Sequence, residues 1–175
     1  MKKNKRLFMR TTILSILILL IGFTLYNSVL KKEAEGVELG ETAPNFKLET
    51  IGGGDPVELS KLKGNVVLVN FWGTWCKPCK DEMPAIQKVY EQYKDDGFEV
   101  VAINMGQSEV QIEPFMTTLD INLPIALDKN NSVKDIYNVY RMPASFLIDR
   151  DGNVIKSFEG EMNIEMLDSW VADSL

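Results

Sequence analysis

Asn70-Phe71-Trp72-Gly73-Thr74-Trp75-Cys76-Lys77-Pro78-Cys79 joins a strand pattern to a helix pattern and places two cysteines at the junction. Upstream, Val66-Val67-Leu68-Val69-Asn70-Phe71 is an apolar run of strand length, as expected of a central strand buried on both faces. Downstream, Met83, Ile86, Val89, Tyr90 and Tyr93 recur at spacings of three and four, so Lys77 to about Lys94 reads as a helix. Sulfur at a helix start faces free backbone N–H groups and the positive end of the helix dipole, which favours thiolate. Cys76 comes first and is expected to be exposed, with Cys79 deeper and within its reach. Pro78 suits the first helical turn, where its missing N–H costs nothing. Lys77 adds a positive charge expected to lower the Cys76 pKa further. One sulfur of such a pair attacks a partner disulfide, and the other resolves the mixed disulfide.

The alternatives narrow on ligand arithmetic. The two cysteines are the chain's full complement, and histidine is absent. No His–Cys nucleophilic pair, His-bound zinc or His-ligated haem can be built from such a chain alone. A metal at Cys76 and Cys79 would need further soft ligands, so no metal site is expected. A bridge closing so short a loop removes little unfolded-state entropy, which makes stabilisation a weak reason for it. A peroxidase is disfavoured, because no peroxidatic cysteine stands apart from the pair. Gly52-Gly53-Gly54 lies in a polar turn and opens no helix after a buried strand, so no nicotinamide or flavin cofactor is expected.

Charge is distributed unevenly over the 175 residues. Residues 1–35 hold seven Lys/Arg and two Asp/Glu; the remainder holds twelve and twenty-three, a net of −11. So acidic a domain repels phosphate backbones, and nucleic acid is excluded as a partner. Residues 1–10 carry Lys2, Lys3, Lys5, Arg6 and Arg10, and Thr11 to Leu30 is uncharged and rich in Ile and Leu. Twenty helical residues span about 30 Å, the thickness of a bilayer core. Residues 11–30 therefore read as a signal-anchor helix, with the basic segment cytoplasmic and the rest outside. A cleaved signal peptide is the rival; it would have a shorter apolar core and a small-x-small site, which Ser28-Val29-Leu30-Lys31 does not offer. Residues 31–42 read as a linker and 43–175 as one folded, monomeric domain.

Within that domain, Phe46-Lys47-Leu48 and Val57-Glu58-Leu59 suggest a hairpin, and Phe98 to Asn104 a second buried strand. Ser108 to Leu119 reads as a helix capped by Ser108, with an irregularity at Glu113-Pro114. A short strand follows at Pro124 to Leu127, then a short helix over Ser132 to Tyr137. Strands at Ser145 to Ile148 and Val154 to Phe158 flank the turn Asp149-Arg150-Asp151-Gly152, and Asn163 to Leu175 closes as a helix. The alternation implies an α/β mixed sheet flanked by helices, with an N-terminal β-hairpin and a central αβ insertion.

Trp-Cys-x-Pro-Cys after an apolar strand resembles the thioredoxin superfamily. With Glu82-Met83-Pro84, Ala43-Pro44-Asn45-Phe46, Leu59 to Gly64 and Pro143 to Ile148, nearly the whole chain resembles the ResA group, which is related to TlpA and CcmG. That resemblance implies a thioredoxin-like fold and an anchored extracytoplasmic thiol–disulfide oxidoreductase. Cys76 matches the nucleophile, Cys79 the resolving cysteine and Glu82 an acidic residue near the active site. Pro143 matches the cis-proline whose loop holds the substrate chain, and Trp75, Lys77, Pro78 and Met142 border the same surface. The implied substrate is a protein disulfide, that of the Cys-x-x-Cys-His motif of apocytochrome c, with a membrane thiol carrier of the CcdA type as electron donor. Thioredoxins commonly bury an Asp where this chain has Asn70, and Asn cannot exchange a proton at neutral pH. Glu82, three residues past Cys79, is then the nearest candidate base. On charge pattern alone Glu82 would be an exposed helix-face carboxylate. Trp75 is either a core aromatic or a shield for Cys76, and Pro84 marks a kink. A disulfide-inserting oxidant, or a metallochaperone or binding module, are the competing functions.

Overall fold

The computed structural model describes residues 2–32 and 37–175, with side chains of the first stretch described at Met9, Arg10 and 12–26. The chain divides into two units, Met1–Glu35 and Gly36–Leu175. In the first, α1 runs over Lys2–Lys32. Among the described residues no helix is long and apolar enough to cross a membrane. The anchor expected over 11–30 extends at Thr11 and at 27–30 beyond the described side chains.

The second unit is built on a seven-stranded sheet ordered β2-β1-β5-β4-β3-β6-β7. Its strands are β1 (Lys47–Thr50), β2 (Val57–Glu58), β3 (Val66–Trp72), β4 (Phe98–Met105), β5 (Ile125–Asp128), β6 (Ala144–Ile148) and β7 (Val154–Glu159). The helices are α2 (Lys77–Tyr93), α3 (Glu109–Leu119), α4 (Ser132–Ile136) and α5 (Ile164–Ala172). β3, β4 and β5 are parallel; β6 and β7 add antiparallel strands at one side, and the β1–β2 hairpin does so at the other. The mixed sheet, the hairpin and the inserted α3–β5 pair are as the sequence implies, and the architecture is thioredoxin-like.

Alternation along β3 divides the core. Val66, Leu68 and Trp72 join α2, α3 and α5 on one face, while Val67, Val69 and Phe71 join Phe46, Val133 and Tyr137 on the other. All seven residues of β3 are buried, because strands flank both its edges and side chains cover both faces. Asn70 falls on the α2 face by the same period of two.

One internal point and two boundaries differ from expectation. α3 passes through Pro114 unbroken, since a proline six residues in loses a single backbone bond, and Thr118 Oγ1 donates to the Pro114 carbonyl. α5 stops at Ala172, short of Leu175, and Asn163 caps it by accepting from Met166 N–H at 2.9 Å. The end of the expected linker belongs to the fold: Gly40 N–H donates to Val154 O, Val154 N–H to Glu41 O, and Ala43 N–H to Gly152 O. Residues 33–36 lie outside the described set.

Candidate active site

β3 ends at Trp72 and α2 begins at Lys77, so the turn 73–76 delivers Cys76 to the helix N-cap. The turn closes with Cys76 N–H donating to Gly73 O at 3.1 Å. Cys76 and Cys79 form a disulfide with Cα atoms 5.3 Å apart. Cys79 N–H also donates to Cys76 Sγ at 3.3 Å, which sets that sulfur among the unpaired N–H groups of the first turn. Pro78 occupies the same turn.

Cys76 is 6% exposed and Cys79 fully buried. The expectation of an exposed Cys76 is therefore corrected: in the disulfide both residues join the apolar cluster of Trp72 and Met83. Lys77 is exposed and bridges Asp81 one turn on, and that hydrogen bond and charge raise its own pKa. Its charge is shared with Asp81, so less of its field reaches Cys76 than the bare spacing suggests. Trp75 is 66% exposed and is no core residue. Its indole lies against Gly73, where a Cβ would stand 2.9 Å from the ring. Trp72 is the buried one, its ring centroid 5.1 Å from that of Phe115.

Glu82 is 1% exposed, which removes the reading of a solvated helix face. Its Oε1 accepts from Asn70 Nδ2 at 2.8 Å, and its Oε2 from Met162 N–H at 3.0 Å. Asn70 Nδ2 also donates to Ser145 Oγ at 2.9 Å. This buried chain ties α2 to β3, to β6 and to the turn before α5. Burial outweighs the two hydrogen bonds and pushes the Glu82 carboxyl up to about 7.

The Met142–Pro143 peptide is cis, and Pro143 is buried with its carbonyl accepting from Gly160 N–H at 2.8 Å. Ala144 pairs with Phe71 and Ser145 with Asn70, so one step further the register sets Pro143 level with Trp72. The cis-proline thus stands at the end of β3 from which the redox turn leaves. Met142, half-buried, packs against both clusters. Ser145, Met162, Asn104 and Gln107 join this neighbourhood without having been singled out in the sequence. A polar residue inside a buried strand run was the available signal for Asn104 and Ser145. Gln107 and Met162 carried none.

The pair can therefore cycle between dithiol and disulfide, with a carboxyl that titrates near neutrality held one helical turn beyond Cys79.

Comparison with known proteins agrees with this chemistry. The AhpC/TSA family profile matches residues 39–157. The thiol-disulfide oxidoreductase ResA of Bacillus subtilis is 43% identical over 171 residues, which cover 98% of this chain and 94% of that protein. Among solved structures, StoA from Bacillus subtilis superposes with a TM-score of 0.64 at 30% identity, covering 73% of this chain and 96% of that one. A thioredoxin-family thiol:disulfide interchange protein from Chlorobium tepidum reaches 0.69 at 27% identity, covering 81% and 97%. With its cysteine pair joined at the start of α2 and its kinship running almost end to end, the chain belongs to the AhpC/TSA family as a thiol–disulfide oxidoreductase of the ResA type.

Proposed function

We propose that this oxidoreductase is a reductase of exported protein disulfides, anchored by residues 11–30 with its domain outside the cytoplasm, and that apocytochrome c is its main substrate. The observation that carries the reading is the buried Glu82 carboxyl on the helix that holds both cysteines. An enzyme that reduces a partner must expel it by attack of Cys79, and Asn70 cannot take the proton released.

The cycle starts from the dithiol. Cys76 thiolate attacks one sulfur of the substrate disulfide, forming a mixed disulfide and releasing the other sulfur as thiolate. Cys79 gives its proton to the Glu82 carboxylate and attacks Cys76 Sγ. The substrate leaves as a dithiol, two electrons richer, and the Cys76–Cys79 disulfide remains. The backbone beside Pro143 holds the substrate chain, and Trp75, Lys77, Pro78 and Met142 border it. A membrane thiol carrier of the CcdA type returns two electrons by a second exchange.

The anchor supports the choice of substrate. Five basic residues precede the uncharged run, which favours export of the C-terminal domain. Tethering raises the effective concentration of the domain towards membrane-bound partners and does nothing for freely diffusing small thiols.

The test is capture of the Cys79→Ala protein in cells as a covalent adduct with its substrate, alongside deletion of the gene. Deletion is expected to lower covalently bound haem c, with dithiothreitol in the medium restoring it. Normal c-type cytochrome levels would reject apocytochrome c while leaving a general reductase. A pair potential near the roughly −120 mV of a dedicated oxidant would reject reduction altogether.

A further inference from the structure

We propose that Gln107 is a positioning residue for the redox turn, acting on Cys76 through Thr74. Gln107 lies between β4 and α3, one residue before Ser108, which caps α3 in a reciprocal box with Gln111. Its Oε1 accepts from Thr74 N–H at 2.8 Å, and its Nε2 donates to Thr74 Oγ1 at 2.7 Å. A planar amide that grips both the backbone and the hydroxyl of one residue fixes that residue's orientation as well as its place. Asn104 Nδ2 donates to the same Oε1 at 3.1 Å. Asn104 is itself fully buried in β4, paired in register with Trp72 of β3 and Leu127 of β5. The clamp is therefore founded on the sheet and reaches out to the loop.

Thr74 is a sensitive point to hold. It sits between Gly73, covered by the Trp75 ring, and Cys76, whose N–H closes the turn on Gly73. If Thr74 swings, Trp75 and Cys76 turn with it, and Cys76 Sγ leaves the N–H groups at the start of α2. Those groups favour the thiolate. A released Thr74 thus raises the pH at which Cys76 becomes nucleophilic.

The test uses the full-length protein in detergent, reduced, with Cys79→Ala in every arm so that Cys76 alone is alkylated by iodoacetamide. Gln107→Ala is expected to slow alkylation at neutral pH by about tenfold, as loss of two modest hydrogen bonds implies, and to move the midpoint of its pH profile upward. Thr74→Val, which spares the backbone bond, gives a smaller shift in the same direction, and Thr74→Ser restores the parent profile. In the Thr74→Val background the Gln107→Ala effect shrinks, because the two act through one contact. An unchanged midpoint in a folded Gln107→Ala protein, even one of lower thermal stability, makes the contact a mere brace and overturns the proposal. Should Gln107→Ala fail to fold, identical midpoints for Thr74→Val and Thr74→Ser overturn it equally.

Discussion

Glu82 Oε1 and Asn70 Nδ2 are 2.8 Å apart inside the interface between α2 and the sheet, and both residues are at most 1% exposed. A carboxyl and a neutral amide share this site, and the proton on the carboxyl is the variable.

That proton links stability to pH. The folded protein holds it up to about pH 7, whereas an unfolded chain releases it near the ordinary 4.5. Between those values the native state binds more protons, so stability falls as pH rises through the window. The full effect is on the order of 3 kcal/mol. Urea unfolding at pH 5 and pH 8 is expected to show this loss in the parent and a flatter profile in Glu82→Gln. Parallel profiles for the two would mean that Glu82 titrates normally.

If Glu82 is the base proposed for Cys79, catalysis follows the same proton in the opposite sense. Glu82 accepts a proton only when ionised, so resolution of a mixed disulfide should accelerate through about pH 7. Glu82→Gln should slow that step by about a hundredfold and abolish the inflection, the lower end of what general bases contribute. Stopped-flow release of a peptide trapped on Cys76 measures it, and an unaltered pH–rate curve would return Glu82 to a structural part.

Asn70→Asp would place a second carboxylate beside the first. Two such groups at hydrogen-bond distance cannot both ionise, and they titrate as a pair. The variant should be as stable as the parent near pH 5 and weaker by on the order of 3 kcal/mol at pH 8, as an uncompensated buried charge costs. Equal melting temperatures at both pH values would show that the pocket admits water.

How far this site is legible in the sequence differs by residue. Strands β3 and β4 stand out as apolar runs, and the redox turn is readable because its chemistry is local to ten residues. Burial of Glu82 is not, since its partners Met162 and Asn70 lie 80 and 12 positions away. The Lys77–Asp81 pair is legible from its i,i+4 spacing alone. Pairing of residues 40–43 with 152–154 requires knowledge of which strand lies at the edge, which composition does not encode.

Gly73→Ala probes the exposed tryptophan. The added methyl would meet the Trp75 ring at 2.9 Å, and because that ring is largely in solvent it can move aside. The expected cost to stability is under about 1 kcal/mol, with a change in tryptophan emission that Trp75→Phe removes. A loss of several kcal/mol would mean that the backbone at Gly73 cannot accept a side chain.

The fragment spanning residues 36–175 should run as a monomer in detergent-free buffer, helped by its net charge of −11. Light scattering after size exclusion checks this, and micellar or dimeric mass would count against it.

The sheet's two margins constrain how such a monomer meets other chains. At one margin β2 is two residues long; at the other the start of β7 is covered by residues 40–42, and Lys156 and Glu159 charge the rest. Margins finished in this way do not recruit a visiting strand. Under the proposed function a client would then be gripped at loop tips, around the turn 73–76 and the cis-proline, over a small and interrupted footprint. Small footprints dissociate quickly. On that reading, once the sulfur–sulfur link is cut little would remain to detain the product, and the enzyme would be free for its next encounter.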